Sequence, residues 1–175
     1  MDSPLPIIYL SLFLGLLGVA AWFVLRQIFT TRKTESSLGK LQKKLKSDKG
    51  TSEEYYQLGC IYSEKKMYAQ SIKLFQQALK VEKLPEQESA LVYNALGFAY
   101  TAQEQYDLAI RHYKEAIKAV PDYVIALNNL GYTYEKKKLT AQALEVYEEA
   151  LKIEPNNATA KKRAESLRKR LAPSK

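Results

Sequence analysis

From Asn94 to Pro121 the chain nearly reproduces itself when moved forward by 34 residues. Leu96, Gly97, Tyr100, Ala109, Tyr113, Ala116 and Pro121 return as Leu130, Gly131, Tyr134, Ala143, Tyr147, Ala150 and Pro155. Leu58, Gly59, Tyr62, Ser71, Phe75 and Ala78 make an upstream copy at an offset of 38. A period of this length fits one supersecondary unit per repeat, here two antiparallel helices joined by a tight turn. Gly97 and Ala116 fall where two helix backbones approach, and Leu96, Tyr100 and Tyr113 fill the space between them. Pro121 closes the second helix, because proline lacks the amide and disfavours helix at the residue before it. One such pair cannot bury its apolar face alone, and about three in succession are needed for a stable core.

These positions at this period resemble the tetratricopeptide repeat (TPR) family, over about residues 52–157. The fold expected is all-α, an α-solenoid of three helix pairs at about 52–89, 90–123 and 124–157. The first repeat departs after Ala78: four extra residues precede Leu96, and Pro85 comes two positions late. A longer second helix or a loop around Val81–Ser89 is expected there. Residues 158–175 read as a basic capping helix and tail, with Ala160, Ala164, Leu167 and Leu171 as its apolar stripe.

Residues 1–26 read as a transmembrane anchor. Leu5 to Leu25 carry no charge, and 21 residues at about 1.5 Å each reach about 32 Å, against a hydrocarbon core of roughly 30 Å. Tyr9 and Trp22 sit near its ends, where amphipathic rings prefer the headgroup level. A cleaved signal peptide competes, since Val19 and Ala21 satisfy a small-residue cleavage rule. Against it, Met1-Asp2-Ser3-Pro4 lacks a basic residue, and the apolar run continues to Leu25. Arg26, Arg32 and Lys33 follow, which sets the expected orientation: the N-terminus crosses and the rest stays where it was made.

Residues 27–51 form a basic neck with an expected short amphipathic helix at Leu38, Leu41 and Leu45. Two placements fit that helix, a half-repeat capping the array and a helix lying in the membrane plane. Positions 26–50 hold eight Lys/Arg against two acids, and 158–175 seven against one, whereas 52–157 carry twelve against fifteen. Basic charge confined to the flanks argues against a nucleic-acid face. Arg26, Arg32, Lys33, Lys40, Lys43 and Lys44 instead suit anionic lipid headgroups. Asp48, Gly50 and Ser52 are turn and helix-start residues before the first repeat.

In a TPR array the first helices line a concave groove. The register places Tyr56, Cys60, Asn94, Phe98, Thr101, Asn128, Asn129 and Tyr132 there, with Leu91 and Ile125 beside them. Side-chain amides can hydrogen-bond any peptide backbone, and aromatic rings supply buried area. Packing of some of these rings between neighbouring helices is the alternative. TPR proteins that bind acidic chaperone tails resemble one another in a Lys/Arg/Asn clamp. Tyr56, Cys60, Ala95, Ile125 and Asn129 occupy those positions here, so a carboxylate-clamp chaperone partner is not expected. One histidine (His112) and one cysteine (Cys60) give neither a metal set nor a nucleophile–base pair. No enzyme activity, metal or cofactor is expected.

Several stretches carry a narrower resemblance: Val24-Leu25-Arg26-Gln27, Thr34-Glu35-Ser36, Glu54-Tyr55-Tyr56, Tyr93-Asn94-Ala95-Leu96-Gly97-Phe98, the run from Pro121 to Gly131, and Ser166-Leu167-Arg168-Lys169-Arg170-Leu171. Together with the anchor, they make the chain similar to the thylakoid-anchored TPR photosystem I assembly factors of cyanobacteria and plastids. That resemblance implies a single-pass thylakoid protein with its repeats on the cytoplasmic or stromal side. Its implied partners are photosystem I subunits or other assembly factors. A membrane-bound receptor for precursor segments, or a tether for soluble proteins, is the alternative.

Overall fold

Three glycines facing three aromatic rings set the separation of the helix pairs. The computed structural model describes residues 5–47 and 50–171, and these form eight α-helices and no strand. They fall into two compact units. The first is α1 (Leu5–Ser47); the second holds α2 (Ser52–Glu64), α3 (Tyr68–Val81), α4 (Glu86–Ala102), α5 (Tyr106–Ala119), α6 (Val124–Lys136), α7 (Thr140–Ile153) and α8 (Ala158–Leu171). Helices α2/α3, α4/α5 and α6/α7 pair as hairpins, successive hairpins stack, and α8 packs on α7. The architecture is the expected all-α array.

In each hairpin a glycine of the first helix lies under a ring of the second. A Cβ on Gly59 would stand 2.6 Å from Phe75, one on Gly97 2.6 Å from Tyr113, and one on Gly131 2.8 Å from Tyr147. Those rings are buried, as are Leu58, Leu96, Leu130 and the second-helix alanines Ala78, Ala116 and Ala150. Small residues let the backbones approach and large ones fill what remains, so the repeated sequence positions are the repeated contacts.

Each first helix ends in the same way. The amides of Met67, Gln105 and Leu139 donate to the carbonyls of Tyr62, Tyr100 and Tyr134 at 2.8, 2.9 and 2.9 Å. Those of Lys66, Glu104 and Lys138 donate to Ser63, Thr101 and Glu135. These paired bonds make a Schellman cap, and its left-handed residue is Lys66, Glu104 or Lys138, with φ of 60°, 60° and 61°. A residue with a Cβ costs about 1–2 kcal/mol there, whereas glycine does not. Glycine also loses more chain freedom on folding, so Lys66→Gly, Glu104→Gly or Lys138→Gly should each stabilise by about 0.5–1 kcal/mol. The triple variant is expected to unfold at a higher urea midpoint by circular dichroism. A lower midpoint would mean that the native side chains contribute more than the strain costs.

The four extra residues enter the first helix of the second repeat, not the second helix or the loop where they were expected. α4 has 17 residues against 13 in α2 and α6, while α3, α5 and α7 have 14 each. The link 82–85 is as long as 120–123 and 154–157. Pro85 precedes α4, and Glu86 and Glu88 in the first turn face the positive end of the helix dipole. Those three residues make Glu86–Ser89 a helix start.

The repeats begin with a capping box at Thr51, whose hydroxyl accepts from Glu54 N while Glu54 accepts from Thr51 N. Ser52 turns inward instead: its hydroxyl donates to Ala78 O at 2.7 Å and its amide to Glu82 Oε1 at 3.0 Å. Asp48 lies outside the described residues. At the other end Ala160, Ala164 and Leu167 are buried, but Leu171 is exposed, one turn beyond the last residue that packs. In the first unit α1 runs without a break through the neck, so Leu38, Leu41 and Leu45 continue it and no separate short helix forms. Its segment Ile8–Phe29 is long and apolar enough to cross a membrane, by length and composition.

Candidate partner-binding face

The first helices of successive hairpins touch: α2 reaches α4, and α4 reaches α6. Their shared side is therefore the inner side of the array, and the residues singled out from the sequence lie on it. Their environments differ. Tyr56 is half-buried with its ring 5.7 Å from that of Phe75. Burial, then the neighbouring Cys60, pushes its hydroxyl well above the usual tyrosine range. Burial also raises the Cys60 thiol, so it is a poor nucleophile at neutral pH. Both residues belong more to packing than to an open surface.

The amides are engaged with one another. Asn129 Nδ2 donates to Asn94 Oδ1 at 3.0 Å, joining α6 to α4. Asn128 Nδ2 donates to Asn157 Oδ1 at 3.2 Å, and that oxygen also caps α8 by accepting from Ala160 N at 2.9 Å. Asn128 Oδ1 is buried with no hydrogen-bond partner. The Thr101 and Thr133 hydroxyls lie 2.9 Å apart, and each also has a carbonyl of its own helix in reach, Gly97 O and Asn129 O; one hydroxyl donates to the other, which donates to its carbonyl. Asn94, Thr101, Asn128 and Asn129 thus tie consecutive repeats together. Only their remaining bonding capacity can face a partner.

The apolar groups are the open part of the face. Phe98 is 49% exposed, Ile125 59%, Leu91 43% and Tyr132 39%. Phe98 meets the ring of Tyr68 edge-on at 6.4 Å. Lys136 Nζ stands 5.3 Å from the Tyr132 ring centre and Arg163 Cζ 6.0 Å from it. Arg163 also reaches Glu135 at 3.7 Å, a carboxylate that accepts from Tyr147 OH at 2.9 Å. At the opposite end a cleft of about 330 Å³ opens between α2 and the extra turn of α4. Tyr56, Leu84, Leu91 and Val92 form its apolar lining, and Glu53 and Glu88 are on its rim.

The register pointed to the inner face but passed over Glu53, Glu88, Lys136 and Arg163. Glu53 and Glu88 lie three residues before Tyr56 and Leu91, and Lys136 four after Tyr132, so helical spacing already carried that signal. Among the basic residues of α1 singled out from the sequence, Arg26 stacks over Trp22 at 5.4 Å, and Arg32, Lys40, Lys43 and Lys44 are exposed. The Lys33 side chain lies outside the described ones.

His112 lies on α5, stacked between Tyr100 at 5.3 Å and Tyr93 at 6.1 Å. Burial, then Arg111, holds its imidazole below the usual range. Glu115 pulls it the other way more weakly, and the imidazole Nδ1 is buried with no hydrogen-bond partner among the described residues. No group of three or more His, Cys, Asp or Glu side chains among the described residues is placed to hold a metal.

Residues 51–122 and 88–155 match the tetratricopeptide repeat family. An uncharacterized protein ycf37 of Cyanophora paradoxa is 36% identical over 126 residues, spanning 72% of this chain and 73% of the relative. The ycf37 protein of Guillardia theta is 34% identical over 128 residues, spanning 73% and 72%. PYG7 of Arabidopsis thaliana, a chloroplastic tetratricopeptide repeat domain-containing protein, is 38% identical over 118 residues, which span 67% of this chain and 39% of PYG7. Among solved structures, MamA superposes with a TM-score of 0.72 at 23% identity over 80% of each chain. YrrB, described as a TPR protein with an unusual peptide-binding site, gives 0.67 at 21% over 81% of this chain and 71% of its own. These structural likenesses establish the fold.

Proposed function

We propose that this chain, which belongs to the tetratricopeptide repeat family and within it to the ycf37 proteins, is a membrane-anchored scaffold that holds a segment of another protein on its inner face. The observation that carries the reading is the row of open apolar side chains, Leu91, Phe98, Ile125 and Tyr132, on a face where Asn94 pairs with Asn129, Asn128 with Asn157 and Thr101 with Thr133. An exposed apolar patch rimmed by polar groups suits a protein ligand. The apolar helix Ile8–Phe29 is the anchor, and it raises the effective concentration of the face toward membrane-bound partners. The scaffold does no chemistry of its own.

The finer part of the proposal is its setting. The partners are photosystem I subunits or fellow assembly factors, and the repeats stand on the cytoplasmic or stromal side of the thylakoid. Supporting this are the resemblance carried by the quoted stretches, a chloroplastic relative, and basic residues directly after the apolar helix. The test is affinity purification of the tagged full chain from mildly solubilised photosynthetic membranes, with a deletion strain alongside. Photosystem I subunits should copurify, and the deletion should lower that complex while sparing others. Recovery of precursor chains or soluble enzymes, with the complex at normal levels, would favour the receptor or tether instead.

A further inference from the structure

The inner face is charged at both ends with opposite signs. At the first-repeat end Glu53 of α2 and Glu88 of α4 flank the apolar cleft over Tyr56 and Leu84. Glu53 accepts one bond, from Gln57 Nε2 at 2.9 Å, and a carboxylate has room for further donors. At the last-repeat end Lys136 and Arg163 stand over Tyr132. Glu104 acts on Lys136 and Glu135 on Arg163, and Glu135 already faces Tyr147 OH and Arg163. Between the two ends stand the exposed apolar side chains Phe98 and Ile125.

We infer that this face holds an extended segment of a partner protein in one orientation, with a lysine or arginine of the segment between Glu53 and Glu88 and an aspartate or glutamate against Lys136 and Arg163. The inference rests on the reading of the inner face as the partner-binding surface. The cleft suits a cationic side chain with an apolar stem: Tyr56, Leu84, Leu91 and Val92 cover the methylenes while the carboxylates meet the head. Apolar residues of the segment lie over Phe98 and Ile125. A segment bound in reverse would set acid against acid and base against base, so the repulsion supplies the specificity. The extra turn of α4 is what creates this arrangement, because Glu88 lies within Glu86–Ser89, which has no counterpart in α6.

The test presents the purified full chain in detergent to an array of random peptides of about 12 residues, long enough at roughly 3.3 Å each to cross three hairpins. Selected peptides should carry a basic residue at one end, apolar residues in the middle and an acidic residue at the other. E53Q with E88Q should weaken them about 5-fold and relax selection at the basic end only. E53K with E88K should select an acidic residue at that end instead. All four changes are on exposed positions, and circular dichroism will verify folding. Apolar peptides selected without charge order, and indifferent to these changes, would overturn the polarity while leaving the face as the binding surface. Failure to select any peptide that F98A weakens would overturn both.

Discussion

Gly97→Ala is expected to destabilise the array by about 2 kcal/mol or more, although alanine is the better helix former. The new methyl would stand 2.6 Å from Tyr113 Cε1, 2.7 Å from Cδ1 and 2.8 Å from Cζ. The Tyr113 ring is 1% exposed. Its burial, partly offset by hydrogen bonds to Thr101 and Thr133, pushes the hydroxyl up to about 12. A ring so enclosed has nowhere to swing, so α4 and α5 must separate, and overpacking of this kind costs about 1–3 kcal/mol and occasionally more. Better helix propensity returns about 1 kcal/mol at most, which is less than the separation of a buried hairpin at the centre of the array. Gly39→Ala is the control. Nothing lies within 4 Å of a Cβ there, so only the propensity gain remains. Unfolding in urea followed by circular dichroism should show a lowered midpoint for Gly97→Ala and none for Gly39→Ala. In the Gly97→Ala background Tyr113→Leu should recover stability, whereas alone it should lower it, a coupling of about 1–3 kcal/mol. Additive effects would mean that the ring is not what the methyl meets.

That the same pair recurs as Gly59 with Phe75 and Gly131 with Tyr147 explains why so much of the fold was legible. A position that must be small because a particular ring lies over it leaves a trace at every repeat, and three traces, each with the glycine 16 residues before its ring, define a hairpin. The destination of the four extra residues left no such trace. Periodicity says where a copy is displaced and is silent about which element absorbs the difference. Pro85 with Glu86 and Glu88 was the readable signal, because it describes the start of a helix.

The inner face was legible in outline, and its hydrogen-bond pairing was not. Register identifies which positions of one helix face inward, but partners across the face depend on how one repeat crosses the next. Asn94 and Asn128 are equivalent by the 34-residue shift, yet Asn94 meets Asn129 and Asn128 reaches Asn157. Thr101 meets Thr133, which is equivalent to Ala99. A shift relates each residue to its copy, and the hydrogen bonds run diagonally between copies. Amides that look available in one repeat are therefore engaged by the next. The apolar groups escape this: they have no directional bonds to satisfy, so exposure decides their availability.

Leu167→Ala should remove about 2–5 kcal/mol from the C-terminal end and much less from the rest. Leu167 is 1% exposed and shares the core with Val146, Tyr147 and Ala150 of α7, beside Ala160 and Ala164 of its own helix. Truncation leaves a cavity that α8 cannot close, because the two alanines already sit in full contact with nothing longer to move into the space. The stability of a repeat array is approximately a sum over units and their nearest neighbours, so a loss at one end need not spread. α8 should then open first and α7 next, while α2 and α3 keep their protection. Hydrogen exchange resolved by segment reads this directly: faster exchange confined to about residues 140–171 is the expected pattern. Gly97→Ala, acting at the central hairpin, should instead accelerate exchange on both sides. If Leu167→Ala speeds exchange evenly through all three hairpins, the array unfolds as one cooperative block and the nearest-neighbour description is wrong for it. The distinction bears on the inner face, since Asn157 and Arg163 reach it from the α8 end. A folded array with a loosened α8 would keep its Glu53–Glu88 end intact and lose the opposite one, so weakened partner binding by this variant would come from the cap and not from general unfolding.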